Sequence, residues 1–326
     1  MSTHHTLARS AAAALTAALA AAALLQGPAA AEARTTATAA EARTAPATPE
    51  ARTAPATVAA PEAPAGAAPG SPAAPQTSAA PDAPVAPRFS GKAFDTCEAP
   101  SLAVMKAWRA SSPYRAVGVY FGGRGRGCPE QKELTPAWVS SVDALGWRLL
   151  PLFVGSQAPC VHAAAKRRYA IGSEPWAQGT REAGDAVRAA RALRIGAASP
   201  LYLDIEAFTL ADTRCAATTL SFVRAWNREV RRLGYVPGYY SSAETGIRHI
   251  EAARKAGTED LPSVLWFARW RGSPALYAET VLHPDAWMPH ARIHQYAGNV
   301  SESYGGRRMS VDRNAVDAPV ARVTAP

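Results

Sequence analysis

Aromatic side chains are missing from the first 88 positions of this chain. A segment without rings has no core with which to offset the entropy of ordering, so no folded unit is expected there. No C-x-x-C pair occurs anywhere, which argues against a zinc site of the usual spacing. Beyond residue 25 no apolar run is long enough to cross a bilayer, so no integral span is expected. No Arg-Arg pair precedes the N-terminal apolar core, which points to general rather than twin-arginine export. The chain is basic, with a formal net charge of +9, yet it carries no nucleic-acid recognition motif.

What is present divides the chain into three parts. Arg9, the Ala/Leu-rich stretch from Ala11 to Leu25 and the small-residue pattern Ala31-Glu32-Ala33 read as a secretory signal over 1–33. Residues 34–88 read as a disordered Ala/Pro/Thr-rich tether. It is built on three tandem nonapeptides beginning at Glu32, Glu41 and Glu50. Residues 89–326 then form one domain, of a length that suits a single α/β barrel. The first 88 residues hold five Arg and five acids, so the whole excess of positive charge belongs to that domain. A secreted, cell-wall-associated monomer facing an anionic envelope polymer is the expectation, with no cofactor and no metal.

The organising stretch is Pro200-Leu-Tyr-Leu-Asp-Ile-Glu-Ala-Phe208. Its alternation is that of a strand, with Tyr202, Asp204 and Glu206 on one face and Leu201, Leu203 and Ile205 on the other. Two carboxylates on an otherwise apolar strand are costly to bury unless paired, solvated or used. Further strands are expected at 91–96, 116–122, 148–155, 236–241, 264–270, 292–297 and 310–314. Helices are expected at 100–110, from Thr135-Pro136 onward, and at 181–194, 218–233 and 244–256. Eight strands with helical crossovers predict a (β/α)8 TIM barrel, irregular in its last helices.

In such a barrel the C-terminal strand ends carry the chemistry. They bring together Asp95, Asp204, Glu206 and Asp312 with Gln157, Tyr202, Tyr239, Tyr240, Trp266, Trp270, Gln295 and Tyr296. Singly, each has a structural explanation as a cap, a turn residue or core-edge packing. Four carboxylates ringed by aromatics describe a carbohydrate site. Strand adjacency also pairs the four cysteines as Cys97–Cys128 and Cys160–Cys215, out of three possible connectivities.

The segments Phe94-Asp-Thr-Cys-Glu-Ala-Pro-Ser101, Val119-Tyr-Phe-Gly-Gly123, Gly146-Trp-Arg-Leu-Leu-Pro-Leu-Phe-Val-Gly155 and Gln157-Ala-Pro-Cys160 carry a resemblance. So do Tyr202-Leu-Asp-Ile-Glu206, Gly234-Tyr-Val-Pro-Gly-Tyr-Tyr-Ser241, Trp266-Phe-Ala-Arg-Trp270, His294-Gln-Tyr296 and Val311-Asp-Arg-Asn314. Across residues 91–316 the domain resembles the secreted actinobacterial glycoside-hydrolase-like domain of unknown function. That family is related to the family 25 (Chalaropsis-type) lysozymes. The resemblance implies a TIM barrel with a carboxylate cluster of Asp95, Asp204, Glu206 and Asp312. The Gly122–Gly127 loop with Arg124 and Arg126, the segment Lys166-Arg167-Arg168 and the cysteines depart from the lysozymes.

Three functions follow from these residues. The first is a glycosidase on cell-envelope or peptidoglycan-type glycan, with Glu206 as general acid and Asp204 as its charged partner. The second is a non-catalytic glycan-binding or envelope-organising module on the same barrel. The third, a metal-dependent phosphodiesterase, lacks the histidine cluster such a site needs. The composition of the first 88 residues also makes a prediction: removing them leaves the melting temperature of the domain unchanged in calorimetry, and a drop of several degrees would refute it.

Overall fold

The computed structural model describes residues 85–270 and 273–325. The secretory signal and nearly all of the tether lie outside the described residues. Eight strands close into a barrel in sequential order: β1 (Arg88–Asp95), β2 (Ala116–Gly122), β3 (Arg148–Phe153), β4 (Pro200–Asp204), β5 (Val236–Ser242), β6 (Val264–Ala268), β7 (Arg292–Tyr304) and β8 (Arg307–Pro319). The fold is that of a TIM-barrel-like α/β protein. Strands β1 to β7 pair in parallel.

Strand β8 departs from the expected topology, because it runs antiparallel to both of its neighbours. A parallel return needs a crossover of a dozen residues or so. Between β7 and β8 stand only Gly305 and Gly306, both at positive φ (56° and 71°), which suits a two-residue hairpin turn. The expected strands at 292–297 and 310–314 are therefore the barrel ends of one long hairpin. The antiparallel run also brings Asp312 into register opposite Asp95.

The amino-terminal boundary moves as well. Arg88 pairs with Pro319, and Val320 N–H donates to the Pro87 carbonyl at 2.8 Å. A truncation that spares the ladder is therefore cut ahead of Val85.

Five helices flank the strands: α1 (Leu102–Ser111), α2 (Pro136–Ala144), α3 (Pro175–Ala192), α4 (Thr213–Arg232) and α5 (Arg248–Lys255). Ser101, Thr135 and Asp212 cap α1, α2 and α4 by accepting from the first-turn N–H groups. Pro175 opens α3 and Asp212 caps α4, so both helices start about one and a half turns before their apolar stripes suggest. A short 3-10 turn, Ala164–Tyr169, lies between β3 and α3.

Alternation along the strands sorts the core into two layers. Ala93, Ala116, Leu150, Leu152, Tyr202, Val264, Trp266, Ile293 and Val316 fill the barrel interior. Phe94, Val117, Leu149, Leu203, Tyr239 and Phe267 face the helices. Disulfides Cys97–Cys128 and Cys160–Cys215 join loops at the carboxyl end of the parallel strands, as expected from strand adjacency. With sequence separations of 31 and 55, each restricts the unfolded chain by about 4 kcal/mol in the chain-entropy account.

The interior rings need room, and glycine supplies it. A Cβ on Gly118 would lie 2.6 Å from Asp95 Cβ and 2.9 Å from Trp266 Cη2. Gly118→Val should therefore destabilise the barrel by about 1–3 kcal/mol in urea unfolding, and an unchanged midpoint would show that the interior can yield.

Candidate active site

The strand alternation that fills the interior with apolar side chains ends, at the carboxyl end of the parallel strands, in polar ones. Asp95 closes β1, Tyr120 nears the end of β2, Asp204 closes β4 and Tyr240 nears the end of β5. Gln295 belongs to β7, and Asp312 with Asn314 to β8. Above them opens a cleft of about 490 Å³ lined by Asp95, Tyr120, Asp204, Glu206, Tyr240, Trp270 and Asp312, together with Arg126 and Lys166.

One amide ties this floor together. Gln295, fully buried, donates from Nε2 to Asp95 Oδ2 (3.1 Å) and Asp312 Oδ2 (3.3 Å). Its Oε1 accepts from the Tyr240 hydroxyl and the Trp270 indole, both at 2.9 Å. Asp95 also accepts from Tyr120 (2.8 Å) and Asn314 (2.7 Å). Burial, then the facing charge of Asp312, pushes the Asp95 carboxyl up to about 7, against the pull of the three hydrogen bonds. Burial also raises Asp312, while the Asn299 N–H that donates to it at 2.6 Å opposes the shift.

Asp204 is 3 % exposed, and its Oδ1 has no hydrogen-bond partner among the described residues. Burial first, and the neighbouring Glu206 charge second, hold its pKa well above the ordinary carboxylate value, and Lys166 pulls the other way. Glu206 lies two residues past the end of β4 with a side chain 36 % exposed, and its Oε1 is 3.7 Å from Lys166 Nζ. Gln157 fixes this segment from below. It is fully buried, donates to the Asp204 carbonyl and accepts from Glu206 N–H, both at 2.8 Å.

Several residues expected to touch a ligand do not line the cleft. Gln157 is a clamp beneath it. Tyr202 is buried in the barrel, where its hydroxyl donates to the Pro319 carbonyl at 2.8 Å. Trp266 is buried one layer below the acids and donates from its indole to Asn314 Oδ1 at 2.8 Å. Tyr239 points outward into the helix-side core, so its neighbour Tyr240 takes the place in the cleft. Tyr296 follows the last inward residue of β7 and packs at its edge against His294 on the outer face. Gln295 is the buried hub rather than a surface contact. Of the expected rings only Trp270 is open, at 53 % exposure, and Gly298 makes room for it: a Cβ there would fall 2.3 Å from Cζ2.

Tyr120 and Asn314 were not foreseen as site residues. The signal was available, since Ala116, Gly118 and Tyr120 alternate inward, and Asp312-x-Asn314 repeats the two-residue spacing of Asp204-x-Glu206. Arg126 and Lys166 lie on loops, where no periodicity announces a direction. Among the described residues, no group of three or more His, Cys, Asp or Glu side chains is placed to hold a metal ion.

A closed α/β barrel with buried acids at the carboxyl end of its parallel strands has its polar cleft where barrels of this kind carry their chemistry. The chain belongs to the Rv2525c-like, glycoside hydrolase-like domain family, whose model matches residues 106–316. Among solved structures, it is similar to an uncharacterised B. stearothermophilus protein at 19% identity and a TM-score of 0.46, covering 69% of this chain and 95% of that one. It is also similar to the Mycobacterium tuberculosis Tat-secreted protein Rv2525c, solved in complex with L-tartrate, at 17% identity and a TM-score of 0.45, covering 70% and 96%. The Clostridium perfringens spore cortex lytic enzyme SleM aligns at 10% identity and a TM-score of 0.45, covering 70% and 67%. No curated protein sequence matches the chain.

The Asp95 shift fixes a pH dependence. Its folded-state pKa of about 7 exceeds the unfolded value of 3.8, so the folded state holds the extra proton between those values. Stability from this group is complete below about 4 and is lost as pH rises towards 7. Asp95→Asn should flatten the fall in urea-unfolding free energy between pH 4.5 and 6.5 by about 1.4 kcal/mol per pH unit. An unaltered slope would show that Asp95 ionises normally.

Proposed function

We propose that this domain is an exported glycosidase acting on a cell-envelope, peptidoglycan-type glycan through carboxylate acid catalysis. The observation that carries the reading is the buried Asp204 carboxyl, which lines the cleft beside Glu206 and makes no side-chain hydrogen bond among the described residues. A protonated carboxyl with a free oxygen is a proton donor in want of an acceptor, and a glycosidic oxygen is such an acceptor. In this reading Asp204 takes the acid role that the sequence assigns to Glu206, because burial favours its protonated form. Glu206, open to the cleft, bears the negative charge that stabilises an oxocarbenium-like transition state or positions water. Asp95 and Asp312 shape the floor, and Trp270 offers a face on which a sugar ring can stack. Export through the segment 1–33, a tether over 34–88 and residence at the cell wall belong to the same proposal. Two disulfides favour an oxidising compartment.

A second reading has its own support. The Lys166 ammonium held 3.7 Å from Glu206 suits a carboxylate that holds a ligand as well as one that attacks it. The same barrel would then bind glycan without cleaving it.

Release of reducing ends from purified peptidoglycan by the full chain separates the two. Under the first reading the wild type releases them. Asp204→Asn and Glu206→Gln should each lower the rate by at least about 10²-fold with an unchanged melting temperature. Wild-type protein that binds the polymer and releases nothing would establish the binding module. Variants as fast as wild type would overturn the assignment of the pair.

A further inference from the structure

Two cations stand in the cleft on neighbouring loops. Arg126 comes from the loop that follows β2, and Lys166 from the 3-10 turn that follows β3. The Arg126 guanidinium donates from Nε to the Gly123 carbonyl (3.1 Å) and from Nη1 to the Tyr120 carbonyl (3.4 Å). Its Nη2 has no partner, and it makes no ion pair with a carboxylate, among the described residues. That sets it apart from several arginines of the outer surface. Arg188, Arg232, Arg248 and Arg254 each pair with an acid three or four residues away in the chain.

The side chain is also half-buried, and burial pushes its pKa down with no acid to oppose the shift. Removing a charge from water without a counter-charge is unfavourable, and the cost is offset only when an anion arrives. The loop itself is held firmly. Gly125 N–H donates to the Val154 carbonyl (2.8 Å), and a Cβ at Gly125 would lie 2.6 Å from the Gly155 carbonyl oxygen. Lys166 Nζ donates to the Gly125 carbonyl at 2.6 Å, so the two cationic loops are tied to each other. The disulfide from Cys128 anchors the same loop to β1's end. Arg124 and Arg168 lie over the Tyr169 ring at 5.8 and 4.8 Å.

We infer that Arg126, with Lys166 behind it, forms an anion subsite that selects glycans bearing a carboxylate or phosphate substituent. The inference rests on the reading of the cleft as a glycan site and names the chemical class it takes. The acids of the floor do not cancel it. Lys166 is shared with Glu206 at 3.7 Å, but Arg126 has no carboxylate within ion-pair distance among the described residues; Asp312 stands two strands away from β2, and burial holds Asp95 and Asp204 towards their neutral forms. A planar guanidinium with a free amino edge suits either anion, since both present two oxygens in one plane.

Calorimetric titration tests this on full-length Asp204→Asn protein, chosen to hold the sugar uncleaved. The probes are peptide-free oligosaccharides of N-acetylglucosamine and N-acetylmuramic acid, the same oligosaccharides with their carboxyls amidated, and the amidated form carrying a 6-phosphate. The carboxylate or the phosphate form should bind about tenfold more tightly than the amide, and which of the two does so names the anion. Adding Arg126→Ala should abolish that preference, and Arg126→Lys should restore part of it. Arg126→Gln serves as the neutral variant if alanine lowers the melting temperature. Equal binding of all three probes overturns the subsite, and reducing-end release by wild type in that case leaves the glycosidase reading standing. A charge preference without any release upholds the subsite and refutes hydrolysis, while failure of every probe to bind overturns both.

Discussion

A carboxylate buried at the mouth of a barrel must be neutralised, paired or hydrogen-bonded, and this protein answers that demand chiefly with one amide. Gln295 uses both N–H groups and both lone pairs of its side chain, and all four partners are site residues. Its orientation is fixed by that chemistry, since only the nitrogen can face Asp95 and Asp312 and only the oxygen can face Tyr240 and Trp270. The open cleft therefore rests on a floor with little freedom. The exposed Trp270 ring is held at one edge by the same amide, and at the other it fills space left by Gly298.

The antiparallel closing strand is what brings two of those acids face to face. Directly opposed like charges disfavour simultaneous ionisation. The register Asp95↔Asp312 builds that conflict into the barrel seam, where burial amplifies it. The other pair, Asp204 and Glu206, differs in kind. One member is buried without a partner, which raises its pKa, and the other is open beside a lysine. Pairs divided in this way are how a single fold supplies an acid and a base near neutral pH.

Two basic loops reach into a cleft whose floor is acidic, and Lys166 meets Glu206 there at 3.7 Å. Loops are free to vary over a barrel whose strands are constrained by packing, which is why the residues that would distinguish ligands lie on them.

The sequence alone determined the barrel, the four carboxylates and the cysteine partners, because strand alternation and strand order are local properties that survive folding. It also carried the inward row of β4, where Tyr202 and Asp204 share a face. It could not say how deep along that row the cleft begins. Tyr202 and Trp266 have the right direction but lie one layer too low, and depth is set by strand stagger. Tyr239 and Tyr240 are adjacent in sequence, and only the register of β5 decides which one faces inward. The direction of β8 was written in Gly305-Gly306, yet its consequence, Asp312 opposite Asp95, appears only when the barrel closes. Burial was the least legible property of all: Asp204 and Glu206 differ by one methylene in sequence, and only the whole fold covers the one and leaves the other open.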